Sequence, residues 1–260
     1  MNAKNPKFGC LTTVRTGSSR LPGKCLLKIR GKRVIDHILE RMKSCKNPNL
    51  VILATSDLPG DDVLVRIAEQ HGVECFRGSA EDRLARMLGA AEKFGLDYII
   101  TFDADDLFCD PELVDSSIKQ MLNNPCDVIK SPPGLICGAF TFCISTATLR
   151  EACRIKDTDN TELYEVYILD NTRFKVNELA GADPILYNDS IRMTLDYPED
   201  FEFFSKVFDE LQIDTNTISL KRIVELLQNK PEIAKINLSR HKDYMAKREV
   251  MKKATRIKVA

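Results

Sequence analysis

Two features of this 260-residue chain have residue types and spacing suited to chemistry: a cation-rich loop and three aspartates at predicted strand ends. The loop runs Leu11-Thr12-Thr13-Val14-Arg15-Thr16-Gly17-Ser18-Ser19-Arg20-Leu21-Pro22-Gly23-Lys24. It opens as an apolar, β-branched run, which predicts a strand, and then breaks into two glycines, a proline, two serines and three cations. Glycines let backbone N–H groups approach phosphate oxygens, hydroxyls donate, and Arg and Lys neutralise charge, so such a loop suits a polyphosphate. Taken as bare composition, it also reads as a plain connector with solvated cations. Two familiar phosphate patterns are absent. Five residues, not four, separate Gly17 from Gly23, and Cys25 stands where a P-loop has Ser or Thr. No G-x-G-x-x-G follows the first strand.

The aspartates are Asp103 and Asp105, after a predicted strand at 98–102, and Asp196, after one at 191–195. Residues i and i+2 of a strand point the same way, so Asp103 and Asp105 share a face if the strand persists. Grouped anions are costly without a cation between them. Mg²⁺ takes hard oxygen ligands and completes its shell with substrate phosphates and water. The competing reading is local: Asp105 or Asp106 caps the helix at Pro111, and Asp196 caps the helix at Phe201. Combined with the cationic loop, the aspartates describe a site for a metal–nucleoside triphosphate.

The elements that must position these groups alternate. Helices are predicted at 34–42, 61–70, 80–94 and 111–122, with Gly72 and Gly95 as stops and Pro111 as a start. Strands are predicted at 50–55, 73–76 and 98–102. This rhythm predicts an α/β fold, a doubly wound and mostly parallel sheet whose ligands bind beyond the carboxyl ends of its strands. Between 127 and 192 the rhythm changes, with strands at 127–130, 140–144 and 174–179 and helices at 147–156 and 162–169. We read this as a small mixed α+β insert, about 130–190, in a single domain spanning 1–260. Helices at 201–211, 220–229 and 240–253 close the chain, the last of them basic from Arg240 to Lys253. A solvated face or an oligomer contact suits that helix better than a nucleic-acid tail.

Charged residues make up 29% of the chain and balance at 38 against 38, which argues against nucleic-acid or anionic-membrane partners. Nine cysteines without a C-x-x-C pair point to reduced, buried thiols and a cytoplasmic location. The N-terminus is polar, unlike a signal peptide, and no apolar run reaches the ~18 residues of a membrane helix. His37, His71 and His241 are scattered and read as structural.

The segment Arg15 to Lys24 resembles the signature loop of the cytidylyltransferases that make CMP-activated acidic sugars. These are the CMP-KDO and CMP-acylneuraminate synthetases and the spore-coat polysaccharide type. Ala54-Thr55-Ser56 resembles the strand end that lines the base pocket, and Phe76-Arg77-Gly78-Ser79 with the helix after it resembles the spore-coat branch. Residues 98–111 are similar to the metal-binding strand, with Asp105 at the family's aspartate. Arg192-Met193-Thr194-Leu195-Asp196-Tyr197-Pro198-Glu199-Asp200 resembles the late motif whose first Asp completes the metal site. The chain departs from the pattern at Phe102-Asp103-Ala104-Asp105-Asp106-Leu107, where relatives carry a glycine before the aspartate and a proline soon after.

The resemblance implies Mg²⁺-dependent transfer of CMP from CTP to an acidic sugar with release of pyrophosphate, in glycan biosynthesis, by a homodimer joined through the insert. It implies that Arg15, Lys24, Asp105 and Asp196 are catalytic, and that Asp105 and Asp196, with Asp103, hold the metal. Thr13, Arg15, Thr16, Gly17, Ser18, Ser19, Arg20 and Lys24 are expected at the triphosphate, and Thr55, Ser56, Arg77 and Ser79 at base and ribose. Arg192 is a candidate for the acceptor or a phosphate, and Tyr164, Asn171 and Arg173 are candidates for the acceptor. Three other readings stay open: a phosphate or phosphonate acceptor, a glycosyltransferase using Asp103-Ala104-Asp105, and a non-catalytic nucleotide binder.

Overall fold

The structure is a computed structural model and describes residues 5–18, 20–170 and 172–254. The chemistry loop leaves β1 (Phe8–Thr13), which is followed by a hairpin of β2 (Lys28–Ile29) and β3 (Lys32–Arg33) and by α1 (Val34–Lys43). Then come β4 (Leu50–Ser56), α2 (Asp62–His71), β5 (Glu74–Gly78), α3 (Arg83–Lys93), β6 (Tyr98–Thr101) and α4 (Pro111–Asn123). The middle of the chain forms β7 (Val128–Lys130), β8 (Phe142–Ser145), α5 (Thr146–Ile155), α6 (Val166–Leu169) and β9 (Val176–Glu178). Four helices finish it: α7 (Pro198–Glu210), α8 (Leu220–Asn229), α9 (Pro231–Leu238) and α10 (Arg240–Ala254).

One seven-stranded sheet runs β5-β4-β1-β6-β8-β7-β9. Only β8 opposes its neighbours; the other six strands share a direction. β1 is central because it is apolar on both faces. Cys10 packs in a core with α1, α4, α7 and α8, while its neighbour Leu11 packs with α3, α5 and α6 on the opposite face. The strands at 128–130, 142–145 and 176–178 extend this main sheet and share its two cores. All nine cysteines are free thiols. Among the described residues no helix is long and apolar enough to cross a membrane.

Several expectations are corrected. Residues 191–195 form no strand of the sheet. They run across the loops at its carboxyl end, where the Met193 N–H donates to Cys137 O (2.9 Å) and the Leu195 N–H to Asp105 O (2.8 Å). Gly138 makes this approach possible: at φ +92, a Cβ there would lie 2.1 Å from the Met193 carbonyl oxygen. Residues 162–165 are turns, and helix begins only at Val166. α3 starts at Arg83 because Asp82 caps it, accepting from Ala85 N–H at 3.0 Å. A short helix, α9, lies at Pro231–Leu238, where none was expected.

The capping alternative also fails. Asp110 caps α4, and Tyr197 is the N-cap of α7, with Asp200 accepting from the Tyr197 N–H at 2.9 Å. Asp105 and Asp196 cap nothing, which leaves their carboxylates free for the cleft.

Candidate active site

Beyond the carboxyl ends of β1 and β6 lies a cleft of about 700 Å³. Lys24 stands in it. Gly23, at φ +65, turns the loop into the 3-10 turn that begins with Lys24, and the side chain reaches inward. Its Nζ donates to Asp105 Oδ2 (3.0 Å), Asp196 Oδ1 (3.1 Å) and the Leu195 carbonyl (2.7 Å). Arg20 Nη2 adds a second cation on Asp196 Oδ1 at 2.5 Å. The sequence-distant groups of the loop and of the two aspartates therefore converge on one point.

Burial works against the Lys24 charge, yet Asp105 and Asp196 hold its pKa above the ordinary lysine value. Asp105 is half-buried; partial desolvation opposes its charge, but Lys24 keeps its carboxyl below the usual range. Asp106 is the opposite case. Burial, with the charges of Asp105 and Asp103 beside it, pushes its carboxyl well up.

Behind Asp196 lies Arg192, which is fully buried. Its Nε and Nη2 fork onto Asp200 (3.1 and 3.3 Å), and Nη2 also donates to Asp196 Oδ2 at 3.2 Å. The Tyr244 ring of α10 covers the guanidinium at 4.7 Å. Asn237 of α9 donates to Asp200 Oδ1 (2.8 Å) and to the Arg192 carbonyl (3.1 Å). The late motif is thus braced from two C-terminal helices.

The loop itself is tied down by Asp61, which accepts from the Thr16 N–H (2.8 Å), the Thr16 hydroxyl (2.7 Å) and the Ser56 hydroxyl. Farther along the cleft, Arg15 bonds the Ala80 carbonyl and pairs with Glu162 at 3.3 Å. Arg83 pairs with Asp103 and lies over the Tyr164 ring at 4.7 Å, and Thr141 donates to Asp103 at 3.2 Å. Arg86 donates to the Ser79 carbonyl at 2.5 Å. Burial, with Arg83 and Arg15 nearby, lowers the Arg86 guanidinium to about 10.

The cleft brings together Thr13, Arg15, Gly17, Ser18, Arg20, Lys24, Asp103, Asp105, Tyr164 and Asp196. It does not reach the rest. Thr16 and Ser56 are committed to Asp61. Thr55 is buried within the sheet. Arg77 bonds the Ser56 and Leu58 carbonyls (both 2.9 Å) and pairs with Asp62 at 2.7 Å, away from the cleft. Ser79 accepts from the Asp82 N–H at 3.1 Å, in the turn before α3. Arg173 pairs with Glu151 at 3.3 Å. Arg192 is a buried brace, not an acceptor contact, because both of its bonded edges face carboxylates of its own motif. Ser19 and Asn171 lie outside the described residues. Sequence reasoning missed Asp61, Arg86 and Asp200, and the stripe Tyr244, Arg248, Met251 that turns α10 toward the cleft. That i, i+4, i+7 spacing was legible; Asp61 carried no signal.

The donor set can be tested against a divalent ion. Among the described residues no group of three or more His, Cys, Asp or Glu is placed to hold one. Asp105 and Asp196 nevertheless meet on a single ammonium, and two hard carboxylates fit an ion whose other ligands are phosphate and water. Asp103, held by Arg83 and Thr141, is not part of that meeting.

The cytidylyltransferase family profile matches residues 10–230. The chain is 28% identical over 229 residues to the spore coat polysaccharide biosynthesis protein SpsF of Bacillus subtilis, covering 85% of this chain and 93% of that one. Over 113 residues it is 28% identical to the 3-deoxy-manno-octulosonate cytidylyltransferase of Geobacter sulfurreducens, 43% of this chain and 44% of that one. Among solved structures, a cytidylyltransferase from Leptospira borgpetersenii superposes with a TM-score of 0.80 at 26% identity, covering 88% of this chain and 97% of that one. With the family profile spanning both the loop and the late motif, this chain belongs to the cytidylyltransferase family and is a nucleotidyltransferase.

Proposed function

We propose that the protein transfers CMP from CTP to an acidic sugar of the ulosonic-acid type and releases pyrophosphate. The observation that carries the reading is the meeting of Lys24 with Asp105 and Asp196 in one cleft with the Gly17–Ser18 loop. An acceptor hydroxyl attacks the α-phosphorus in line and gives up its proton to water, the bond to the bridging oxygen breaks, and the pair of electrons leaves on pyrophosphate. Little covalent work falls to the protein, which positions the partners and neutralises charge. Backbone N–H groups at Gly17 and Ser18 suit the triphosphate, while Arg15, Arg20 and Lys24 offset its charge and that of the leaving group. Asp105 and Asp196 would hold Mg²⁺, which when bound polarises the α-phosphate as a Lewis acid. Arg192 orients Asp196 from behind, and Asp61 fixes the loop's entry.

The test is pyrophosphate release from each of the four nucleoside triphosphates against a panel of sugar acids, sugar phosphates and phosphonates. CTP with a sugar acid is expected to be the productive pair. Turnover only with a phosphate or phosphonate would replace the acceptor class, and binding without turnover would make this a nucleotide sensor.

A further inference from the structure

α10 is a basic helix that lies beyond the segment matched by the family profile, yet it walls one side of the cleft with Tyr244, Lys247, Arg248 and Met251. It is firmly docked. Arg248 pairs with Glu165 at 2.5 Å, Lys252 with Asp170 at 2.9 Å, and Arg240 with Glu199 at 2.6 Å. Tyr244 closes over Arg192 between those anchors. The backbone at residue 247 is therefore held at a fixed place on the rim.

The cleft's cations differ in how they are used. Of its seven basic side chains among the described residues, Arg15, Arg20, Lys24, Arg83 and Arg248 each pair with a carboxylate, and Arg86 is spent on backbone carbonyls. Lys247 alone among them, exposed at the rim, makes neither a hydrogen bond nor an ion pair. A docked helix presenting one uncommitted ammonium to a substrate cleft is arranged to meet an anion that arrives with the substrate.

We propose that Lys247 is a specificity-determining residue for the acceptor: it pairs with an anionic group, carboxylate or phosphate, that the acceptor carries away from its attacking hydroxyl. This deepens the cytidylyl-transfer reading and rests on it. Tyr244 and Met251 beside it supply apolar surface for the acceptor's carbon skeleton, and CTP is gripped elsewhere, by the loop after β1.

The experiment compares full-length wild type with Lys247→Ala, Lys247→Glu and Lys247→Arg. 3-Deoxy-manno-octulosonate is the first acceptor probe; otherwise the probe is whichever acceptor of the panel releases pyrophosphate. Lys247→Glu is expected to raise KM for the acceptor about tenfold or more while KM for CTP stays within about twofold, and Lys247→Arg to stay close to wild type. Raising ionic strength should close the gap between wild type and Lys247→Ala, because screening removes a rim charge's advantage. An unchanged acceptor KM in Lys247→Glu, or equal changes in both KM values, overturns the inference and leaves the cytidylyl-transfer reading standing. If wild type turns over no acceptor of the panel, that reading falls and the inference falls with it.

Discussion

Two arginines are buried to the same degree and are used in opposite ways. Arg41, on α1, is met by neutral oxygens: the carbonyls of Cys109 (2.6 Å), Ile218 (2.7 Å) and Phe108 (3.3 Å). Burial lowers its pKa, with Asp110 only partly offsetting this. Arg192 is met by two carboxylates, and although burial again opposes the charge, Asp200 holds its pKa up. Arg41 staples the loop after β6 and the segment before α8 to α1, where a donor fork completes the backbone's hydrogen bonds. Arg192 instead sits behind a cleft and holds Asp196 from the rear at 3.2 Å. Among otherwise equal buried cations, the partner's charge separates a scaffold from a site.

The sharpest way to test that contrast is at the carboxylates themselves. Asp105→Asn and Asp196→Asn are expected to cut pyrophosphate release at saturating CTP by about 10³-fold or more, with the fold retained in circular dichroism. Either variant keeping more than about a tenth of wild-type turnover would remove the metal assignment.

Next in size is the exchange of each arginine for methionine. Arg192→Met leaves Asp200 buried and unpaired, so about 3–5 kcal/mol of stability should go, and turnover with it. Arg41→Met strands three carbonyls, a loss of roughly 3 kcal/mol at about 1 kcal/mol each, but kcat of the folded enzyme should hold. Urea titrations paired with initial rates read both effects. Equal losses of kcat in the two variants would dissolve the distinction.

Tyr244→Leu is milder. It keeps apolar cover over Arg192 and removes the ring face, worth about 1 kcal/mol, so kcat should fall about fivefold while KM for CTP is unchanged. A rise in KM for CTP with constant kcat would place Tyr244 at the nucleotide and not behind Asp196.

The same contrast explains what could be read from residue order. The scaffold half was legible because burial pattern is local: α1's apolar spacing and β1's continuous apolar run announce themselves. The Lys24, Asp105 and Asp196 set was legible as three separate motifs, and the fold supplied their convergence. Misreadings fell where a polar residue's partner is set by loop geometry, whether near in sequence or far. Thr16 and Ser56 have hydroxyls suited to a ligand, yet Asp61 takes both. Arg192 carries a cation suited to a phosphate, yet Asp200 and Asp196 hold it. Residues 191–195 have strand composition but join no strand of the sheet; Gly138 admits them against the loops and Asn237 of α9 holds the Arg192 carbonyl. Propensity is silent about partners of that kind.

The smallest expected effect belongs to the scaffold and is a pH dependence. His37 is fully buried on α1; its Nε2 lies 3.0 Å from the Ile29 carbonyl, so the neutral ring donates there. Nδ1 is buried without a hydrogen-bond partner. Protonation would add an N–H at Nδ1 with nothing to accept it, and burial accordingly lowers the pKa below the ordinary value of 6.5, against the pull of Ile29, Glu40 and Asp36. The folded state then binds this proton less readily than the unfolded chain. Its contribution to stability is complete above pH ~6.5 and is lost as pH falls below that toward the depressed folded value. Between pH 7 and pH 5 the stability should therefore fall. His37→Gln keeps a donor for Ile29 and cannot titrate, so its urea stability should fall less over that interval than wild type's. Other groups titrate in both proteins and cancel in the difference. An equal or steeper loss in the variant would mean that the buried ring accommodates its second proton, and that the scaffold tolerates an uncompensated charge at His37.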